Sequence, residues 1–299
     1  MFLYKYFSKD EMTDLLKEEL MSKYQITQLD LEDVYTDTQL SKFERRPDYI
    51  YVALQFPEFE RAEETFVTKE VHCFVSVDYF IIIDKHDFRQ LQRFELHRQI
   101  ELSQEQNSFT LFYEMLDYVL TRLFRAMRKF SREVDDLENE LFATGKTTDK
   151  DFIFDIQIIK RNLINFSSLV APLEDVVIDL QTHYNRFLKL ENRVELLDDS
   201  LDKIKKMRNN LKNFMQQMNL ISETNESLIA RNTNQVIKLM TATSIMVIFP
   251  SFIAAFFGMN VYFGWDAGVS NYVPLIAAVI VIIVSVTVIF LYFKKQKWL

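Results

Sequence analysis

Residues 239–265 read LMTATSIMVIFPSFIAAFFGMNVYFGW, twenty-seven positions without a charge between Lys238 and Asp266. A second uncharged run of 27, AGVSNYVPLIAAVIVIIVSVTVIFLYF at residues 267–293, ends at Lys294. About 20 apolar residues in an α-helix cross the roughly 30 Å of bilayer hydrocarbon. Core helices of soluble proteins are rarely uncharged over such lengths. Two membrane spans are therefore expected, near residues 237–258 and 272–293. Gly258-Met259-Asn260 closes the first. It puts a flexible backbone and an uncharged amide where an ion could enter a spanning helix.

The basic residues orient the spans. Lys294, Lys295 and Lys297 follow the second, Arg231 and Lys238 open the first, and the loop from Val261 to Asn271 holds no Lys or Arg. The positive-inside rule then places both chain ends in the cytoplasm and the Gly-Met-Asn end outside a cell membrane. No signal peptide competes with this reading, because Lys5, Lys9 and Asp10 break the opening apolar residues at once.

The rest of the chain is acidic. The net charge is −8, and the three Lys and one Asp after Lys238 contribute +2, so residues 1–238 carry −10. This balance argues against nucleic acid as a partner and is compatible with binding cations. The single Cys73 cannot form an internal disulfide, which fits a reducing compartment.

No catalytic constellation emerges, and no enzyme is expected. His72, His86, His97 and His183 lack the paired spacing of a zinc peptidase. His72 and Cys73 are adjacent in an expected strand, where neighbouring side chains face opposite ways. Gly145-Lys146-Thr147 lacks the upstream Gly of a phosphate loop. The cluster Glu133, Asp135, Asp136, Glu138 and Glu140 reads as a solvated helix face. Apart from Lys238 at the inner edge, neither span carries an ionisable side chain other than tyrosine, which argues against a proton-coupled pump.

The architecture expected is a cytoplasmic α/β domain, a long stalk helix continuous with the first transmembrane helix, and a second short transmembrane helix. In residues 1–105, Ile26–Val34, Tyr49–Phe56, Phe66–Val77 and Phe80–Ile83 read as strands, and Ser8–Met21 and Asp84–Leu102 as helices. Residues 106–236 form a helical domain and stalk, with helices at Phe109–Leu141 and Asp149–Val170. Residues 237–299 form the transmembrane domain. Between Pro172 and Pro250 there is neither Gly nor Pro, so one helix can run from Leu188 to Phe257, about 105 Å at 1.5 Å per residue. Its seam steps through Leu197, Leu201, Ile204, Arg208, Leu211, Met215 and Met218. It then turns polar through Ser222, Asn225 and Asn232, as a ring of helices round a wet axis would.

The first span and its flanks carry Asn234, Thr241, Thr243, Ser244, Ser251 and Asn260; the second carries Ser285 and Thr287 among bulky Val and Ile. This contrast makes the first span the pore-lining candidate and the second the lipid-facing one. One helix cannot enclose a pathway, so several chains must surround an axis. Asn260 would then supply a ring of neutral oxygens for a hydrated Mg²⁺, which releases its water reluctantly. Met240 and Ile248 would form apolar rings that gate by dewetting.

Phe257-Gly258-Met259-Asn260, the preceding Ser251-Phe252-Ile253-Ala254 and the ending Phe293-Lys294-Lys295-Gln296-Lys297-Trp298-Leu299 resemble the CorA family of magnesium transporters. The fit is close in the C-terminal half and holds only in outline in the N-terminal domain. The resemblance implies a homopentamer that carries Mg²⁺, often also Co²⁺ and Ni²⁺. It implies a selectivity filter at Gly258, Met259 and Asn260. Counting back from Asn260, the family's pore rings fall on Ser251, Ile248, Met240 and Asn234, and its basic collar on Lys294, Lys295 and Lys297. Its regulatory Mg²⁺ site between subunits falls on Asp199, with Asp84 or Asp87 as the α/β-domain partner. The usual Met-Pro-Glu-Leu after the Asn is replaced by Val261-Tyr262-Phe263-Gly264, and Phe257 stands for the usual Tyr. Met259 favours magnesium over the zinc-transporting relatives, which more often have Gly-Ile-Asn. A transporter of zinc or another divalent cation, and a membrane-anchored scaffold that transports nothing, are the alternatives to a Mg²⁺ channel.

Overall fold

A computed structural model of the chain describes residues 2–8, 11, 13–36, 40–101, 107–144, 150–188, 194–259, 273–296 and 298. The chain divides into two compact units, Met1–Ser222 and Glu223–Leu299. The first unit opens with β1 (Leu3–Ser8), α1 (Asp14–Tyr24), α2 (Gln28–Tyr35), β2 (Lys42–Arg45), β3 (Ile50–Glu60), β4 (Thr65–Val75) and β5 (Tyr79–Asp84). Three helices follow: α3 (Arg89–Glu101), α4 (Ser108–Thr144) and α5 (Lys150–Leu188). Helix α6 (Val194–Phe257) begins in the first unit and ends in the second, which also holds α7 (Val273–Lys295).

The five strands form one sheet in the order β1-β5-β4-β3-β2, with β1 parallel to β5 and the other pairs antiparallel. Alternation along each strand sends successive side chains to opposite faces. Tyr51, Ala53, Phe74, Ile81 and Ile83 face α1 and α2, whose Leu16, Leu20, Leu31 and Val34 complete that core. Helices α4 and α5 pack against the sheet, α4 on β4 and β5 and α5 on β2, β3 and β4. Phe66 of β4, Phe130 of α4 and Phe166 of α5 meet there, with ring centroids 5.0–5.6 Å apart. Asn162 of α5 ties the β3–β4 turn down: its side-chain oxygen accepts from the Phe66 N–H and its amide donates to the Glu64 carbonyl.

Several sequence expectations need correction. Ile26–Val34 is not a strand. Thr27 caps a helix there, its hydroxyl accepting from the Asp30 N–H, and the helix buries Leu31 and Val34 while Leu29 stays exposed. Strands β1 and β2 were not anticipated. Lys42 and Arg45 charge the short β2, as sheet edges commonly are, and only its pairing with β3 defines it. Helix α5 runs past Val170 and through Pro172, because Leu173, Val176, Val177 and Leu180 continue its buried face. The long helix begins at Val194; Leu188 ends α5, and residues 189–193 lie outside those described.

The stalk seam also differs from its expected register. The buried stripe of α6 is Leu197, Ile204, Leu211, Met218 and Asn225, at seven-residue steps, alternating with Ser200, Met207 and Ile221. Leu201 and Met215 are only partly buried, and Arg208 is exposed and pairs with Glu174 of α5. Arg208 therefore lies beside the stripe and not in it. The stripe lies one residue earlier on one of its two rows, and Lys203 and Arg208 flank it with ion pairs to Asp117 of α4 and Glu174 of α5.

Asp30 is the charged centre of the α2 side. Its carboxylate, fully buried, accepts from Arg46 and from the Tyr49 hydroxyl. Burial raises its pKa, but the hydrogen bonds from Arg46, Tyr49 and Thr27 outweigh this and hold it below the usual carboxylate range. A depressed folded-state pKa contributes stability that is present above the unfolded value and is lost as pH falls through the folded value. Asp30→Ala is expected to cost about 3 kcal/mol or more near neutral pH, because it leaves Arg46 without its buried partner. The deficit should shrink as acid titrates the wild-type carboxylate. Thermal unfolding of both proteins across pH 2–7 checks this; a pH-independent difference would remove the ionic explanation.

Candidate functional site

In the second unit, α6 turns from polar to apolar along its length, and from Leu239 onward it and α7 expose mainly apolar side chains. All residues from Ala230 to Thr241 are exposed in the single chain, and so are Val247, Ile248, Phe249 and Phe252. Helix α7 exposes Ile276, Val279, Ile280, Ile283, Val284 and Val288. Both helices are long and apolar enough to cross a membrane. A helix that is apolar all round needs lipid or other helices as its solvent.

The expected pore residues Asn234, Met240, Thr241, Ile248 and Ser251 are all exposed. The Thr241 hydroxyl donates to the Ile237 carbonyl at 2.8 Å and Ser251 to Val247 at 2.7 Å. Each hydroxyl thus satisfies its donor within its own helix and keeps oxygen lone pairs for a further donor. Ser285 and Thr287 of α7 do the same, so the hydroxyls of the two spans are bonded alike. Pro250 sits inside α6 and offers no N–H to the preceding turn.

The end of α6 is tight. The Gly258 N–H donates to the Ala254 carbonyl at 2.9 Å, and a Cβ on Gly258 would stand 3.2 Å from that same oxygen. Glycine is used here for close approach. Met259 is exposed, while Asn260 lies outside the described residues. Lys294 and Lys295 occupy the last turn of α7 and are exposed; Lys297 also lies outside the described residues. Phe293 is buried and stacks on Trp298, with centroids 5.3 Å apart.

In the first unit the three candidate regulatory aspartates differ sharply. Asp84 is buried and its carboxylate is occupied: it accepts from the Phe88 N–H at 2.9 Å, the Tyr6 hydroxyl at 2.8 Å and the His86 N–H. Burial raises its pKa against these bonds. Asp87, three residues on, is exposed in a left-handed turn with φ 52°. On α6, Asp198 accepts from Gln181 of α5 at 2.7 Å, while Asp199 is exposed. Asp199 lies beside Tyr113 of α4, whose hydroxyl is pushed up to about 12 by burial and by the charges of Asp117, Asp199 and Glu114. Sequence reading missed this acidic neighbourhood. Its signal is Glu114 and Asp117, three apart on one helix face, which becomes meaningful only when α6 packs beside them. Among the described residues, no group of three or more His, Cys, Asp or Glu side chains could hold a metal ion within one chain. His72 and Cys73 are both fully buried. His72 bonds Tyr51, and burial among Lys85 and Lys42 lowers its pKa to about 3.

The family model of the CorA-like Mg²⁺ transporter protein matches residues 4–295. The chain belongs to the CorA family. This is a family of transporters and not a class of enzymes. The cobalt/magnesium transport protein CorA of Thermotoga maritima is 22% identical over 275 residues, spanning 90% of this chain and 76% of that protein. The magnesium transport protein CorA of Escherichia coli K12 is 24% identical over 298 residues, 91% of this chain and 84% of its own length. The complete CorA structure from Methanocaldococcus jannaschii superposes with a TM-score of 0.82 at 17% identity, covering 98% of this chain and 90% of that one. The CorA fold therefore extends over both units: an α/β part, one 64-residue helix and a C-terminal apolar helix.

Proposed function

We propose that this chain forms a homopentameric channel in the cell membrane that admits Mg²⁺ into the cytoplasm down its electrochemical gradient. Gly258, Met259 and Asn260 form its outer selectivity filter, and Asn234, Met240, Thr241, Ile248 and Ser251 line its pore. The observation that carries this reading is that Gly258-Met259 follows directly on α6, a 64-residue helix far longer than a bilayer needs, whose last nineteen residues are uncharged, with Asn260 next in the sequence. Membership of a magnesium transporter family supports it. The cargo requires no ATP: a divalent cation moving inward gains about 4.6 kcal/mol per 100 mV of inside-negative potential. Both chain ends face the cytoplasm, with Lys294, Lys295 and Lys297 as a basic collar. Co²⁺ and Ni²⁺ are the further cations of this reading.

Flux in proteoliposomes with Mg²⁺, Co²⁺, Ni²⁺ and Zn²⁺ under an inside-negative potential tests it. Mg²⁺ uptake is expected. Uptake of Zn²⁺ alone would replace this reading with a zinc transporter, and a protein that passes no cation under any gradient would leave the membrane-anchored scaffold.

Regulation in this reading comes from Mg²⁺ bound between cytoplasmic domains at Asp199. In this reading Mg²⁺ keeps several of its waters, and the second carboxylate comes from a neighbouring chain. Asp87 suits that role better than Asp84, whose oxygens already accept three donors. Asp199→Ala is expected to abolish most of the Mg²⁺ protection of the full chain against limited proteolysis. Asp84→Ala should instead raise cleavage equally with and without Mg²⁺. Unchanged protection in Asp199→Ala would remove that residue from sensing.

A further inference from the structure

The second unit gathers its cations on one side of the membrane. Past Glu226 the chain carries Arg231, Lys238, Lys294, Lys295 and Lys297, and its only acid is Asp266, between the two spans. Two helices that cross a bilayer in succession bring the start of the first and the end of the second to the same side. The five cations therefore share a side, and Asp266 belongs to the other. Arg231, Lys238, Lys294 and Lys295 are exposed, and none of them has an ion-pair or hydrogen-bond partner among the described residues.

The end of α7 has a defined construction. The Gln296 N–H donates to the Tyr292 carbonyl and the Trp298 N–H to the Phe293 carbonyl, both at 3.0 Å. Backbone donors thus take up carbonyls of the last turn that would otherwise draw the lysines inward. Trp298 folds back onto buried Phe293, with centroids 5.3 Å apart and 26° between the planes. Tyr292 meets Phe293 edge-on at 5.6 Å and is exposed. The span therefore ends in an aromatic group of the kind that sits at a membrane–water interface. Trp298 is only half-buried, and its indole N–H donates to no described residue. An indole N–H is a donor only, so it needs an acceptor from outside. Val288, Leu291 and Lys295 lie three and four residues apart along α7, on one face, and all are exposed. An apolar stripe thus leads directly to an unpaired ammonium.

Two ammonium groups and an indole N–H call for a ligand with several acceptor oxygens and negative charge. The apolar stripe beside them calls for hydrocarbon on the same molecule. An anionic phospholipid has both. A zwitterionic headgroup carries its own cation, which opposes the lysines. We propose that the end of α7 binds the headgroup of an anionic phospholipid, held by Lys294, Lys295 and the Trp298 indole N–H, with an acyl chain along Val288 and Leu291. Arg231 and Lys238 add positive potential from the same side of the membrane. The inference rests on the two helices crossing a bilayer and not on the cargo, and lipid binding is read without any ion flux.

The test uses the full-length Trp265→Phe variant, in which Trp298 is the sole tryptophan. It is reconstituted in phosphatidylcholine vesicles with increasing fractions of phosphatidylglycerol or phosphatidylcholine brominated on the acyl chains. Bromine quenches tryptophan emission only at close range. Phosphatidylglycerol is expected to bind beside Trp298 about fivefold or more tightly than phosphatidylcholine. Lys294→Gln and Lys295→Gln together should bring the two lipids level, and each alone part of the way. Inorganic phosphate at millimolar concentration should leave the quenching in place. A second measurement needs no tryptophan substitution: the wild-type chain, purified in detergent from an equimolar mixture of the two lipids, should retain an excess of phosphatidylglycerol that the double Gln variant loses. Equal quenching by the two brominated lipids, equal retention, a preference undiminished in the double variant, or displacement by inorganic phosphate would each overturn the proposal.

Discussion

Proteoliposomes carrying Asn260→Ala are expected to take up Mg²⁺ no faster than empty liposomes, while the variant still assembles. The amide oxygen is the uncharged acceptor at the end of a span that has no carboxylate. In the proposed channel it is repeated around the axis, where it accepts hydrogen bonds from the waters of a hydrated Mg²⁺. Each hydrogen bond to a charged partner is worth about 1.5 kcal/mol or more, so losing two of them already costs more than about a hundredfold in occupancy. Asp266 is the only acid in the sequence between the two spans. The substitution removes no apolar surface from α6, so the oligomer should elute unchanged on size exclusion. Normal uptake by an assembled variant would refute the filter. Uptake lost together with assembly would leave the filter unsupported and call for Asn260→Gln, which keeps the amide.

Phe166→Ala is expected to destabilise the first unit by about 3–5 kcal/mol. Phe166 is fully buried on α5 and meets Phe66 of β4 and Phe130 of α4 edge-on, at 5.0 and 5.6 Å. Truncation leaves a cavity where three elements converge, and each aromatic contact carries about 0.5–1.5 kcal/mol beyond area burial. For a unit of this size the first thermal transition should fall by on the order of 10 °C. Phe166→Leu, which refills most of the volume, should recover much of the loss. Near-UV circular dichroism of the full chain follows the transition; a shift no greater than that of an exposed α5 substitution such as Ser168→Ala would show that the junction holds little of the stability.

The residues of the proposed ion pathway and those proposed for regulation differ in what the sequence alone says of them. Gly258, Met240 and Ile248 follow from position along an uncharged helix, which is a property of the local chain. Asp199 and Asp198 look alike in sequence, yet one is exposed beside Tyr113 and the other is held by Gln181. Asp84 and Asp87 are likewise interchangeable on paper. Asp84 turns out to accept hydrogen bonds from Phe88, His86 and Tyr6, whereas Asp87 is exposed. Tyr6 belongs to a strand that exists only through parallel pairing with β5, so no local pattern could separate the two aspartates.

The membrane-length helices, their number and the absence of a Gly or Pro between Pro172 and Pro250 were written in the chain. The bilayer and the backbone impose these requirements residue by residue: a spanning helix must be free of charge, and a long helix free of breakers. The helical state of residues 28–35, the edge strands β1 and β2 and the register of the α6 stripe had to await the folded structure. Each depends on partners far away in sequence. Leu31 and Val34 take helical form because the sheet lies beneath them, and Lys42–Arg45 is a strand because Ile50–Ala53 pairs with it.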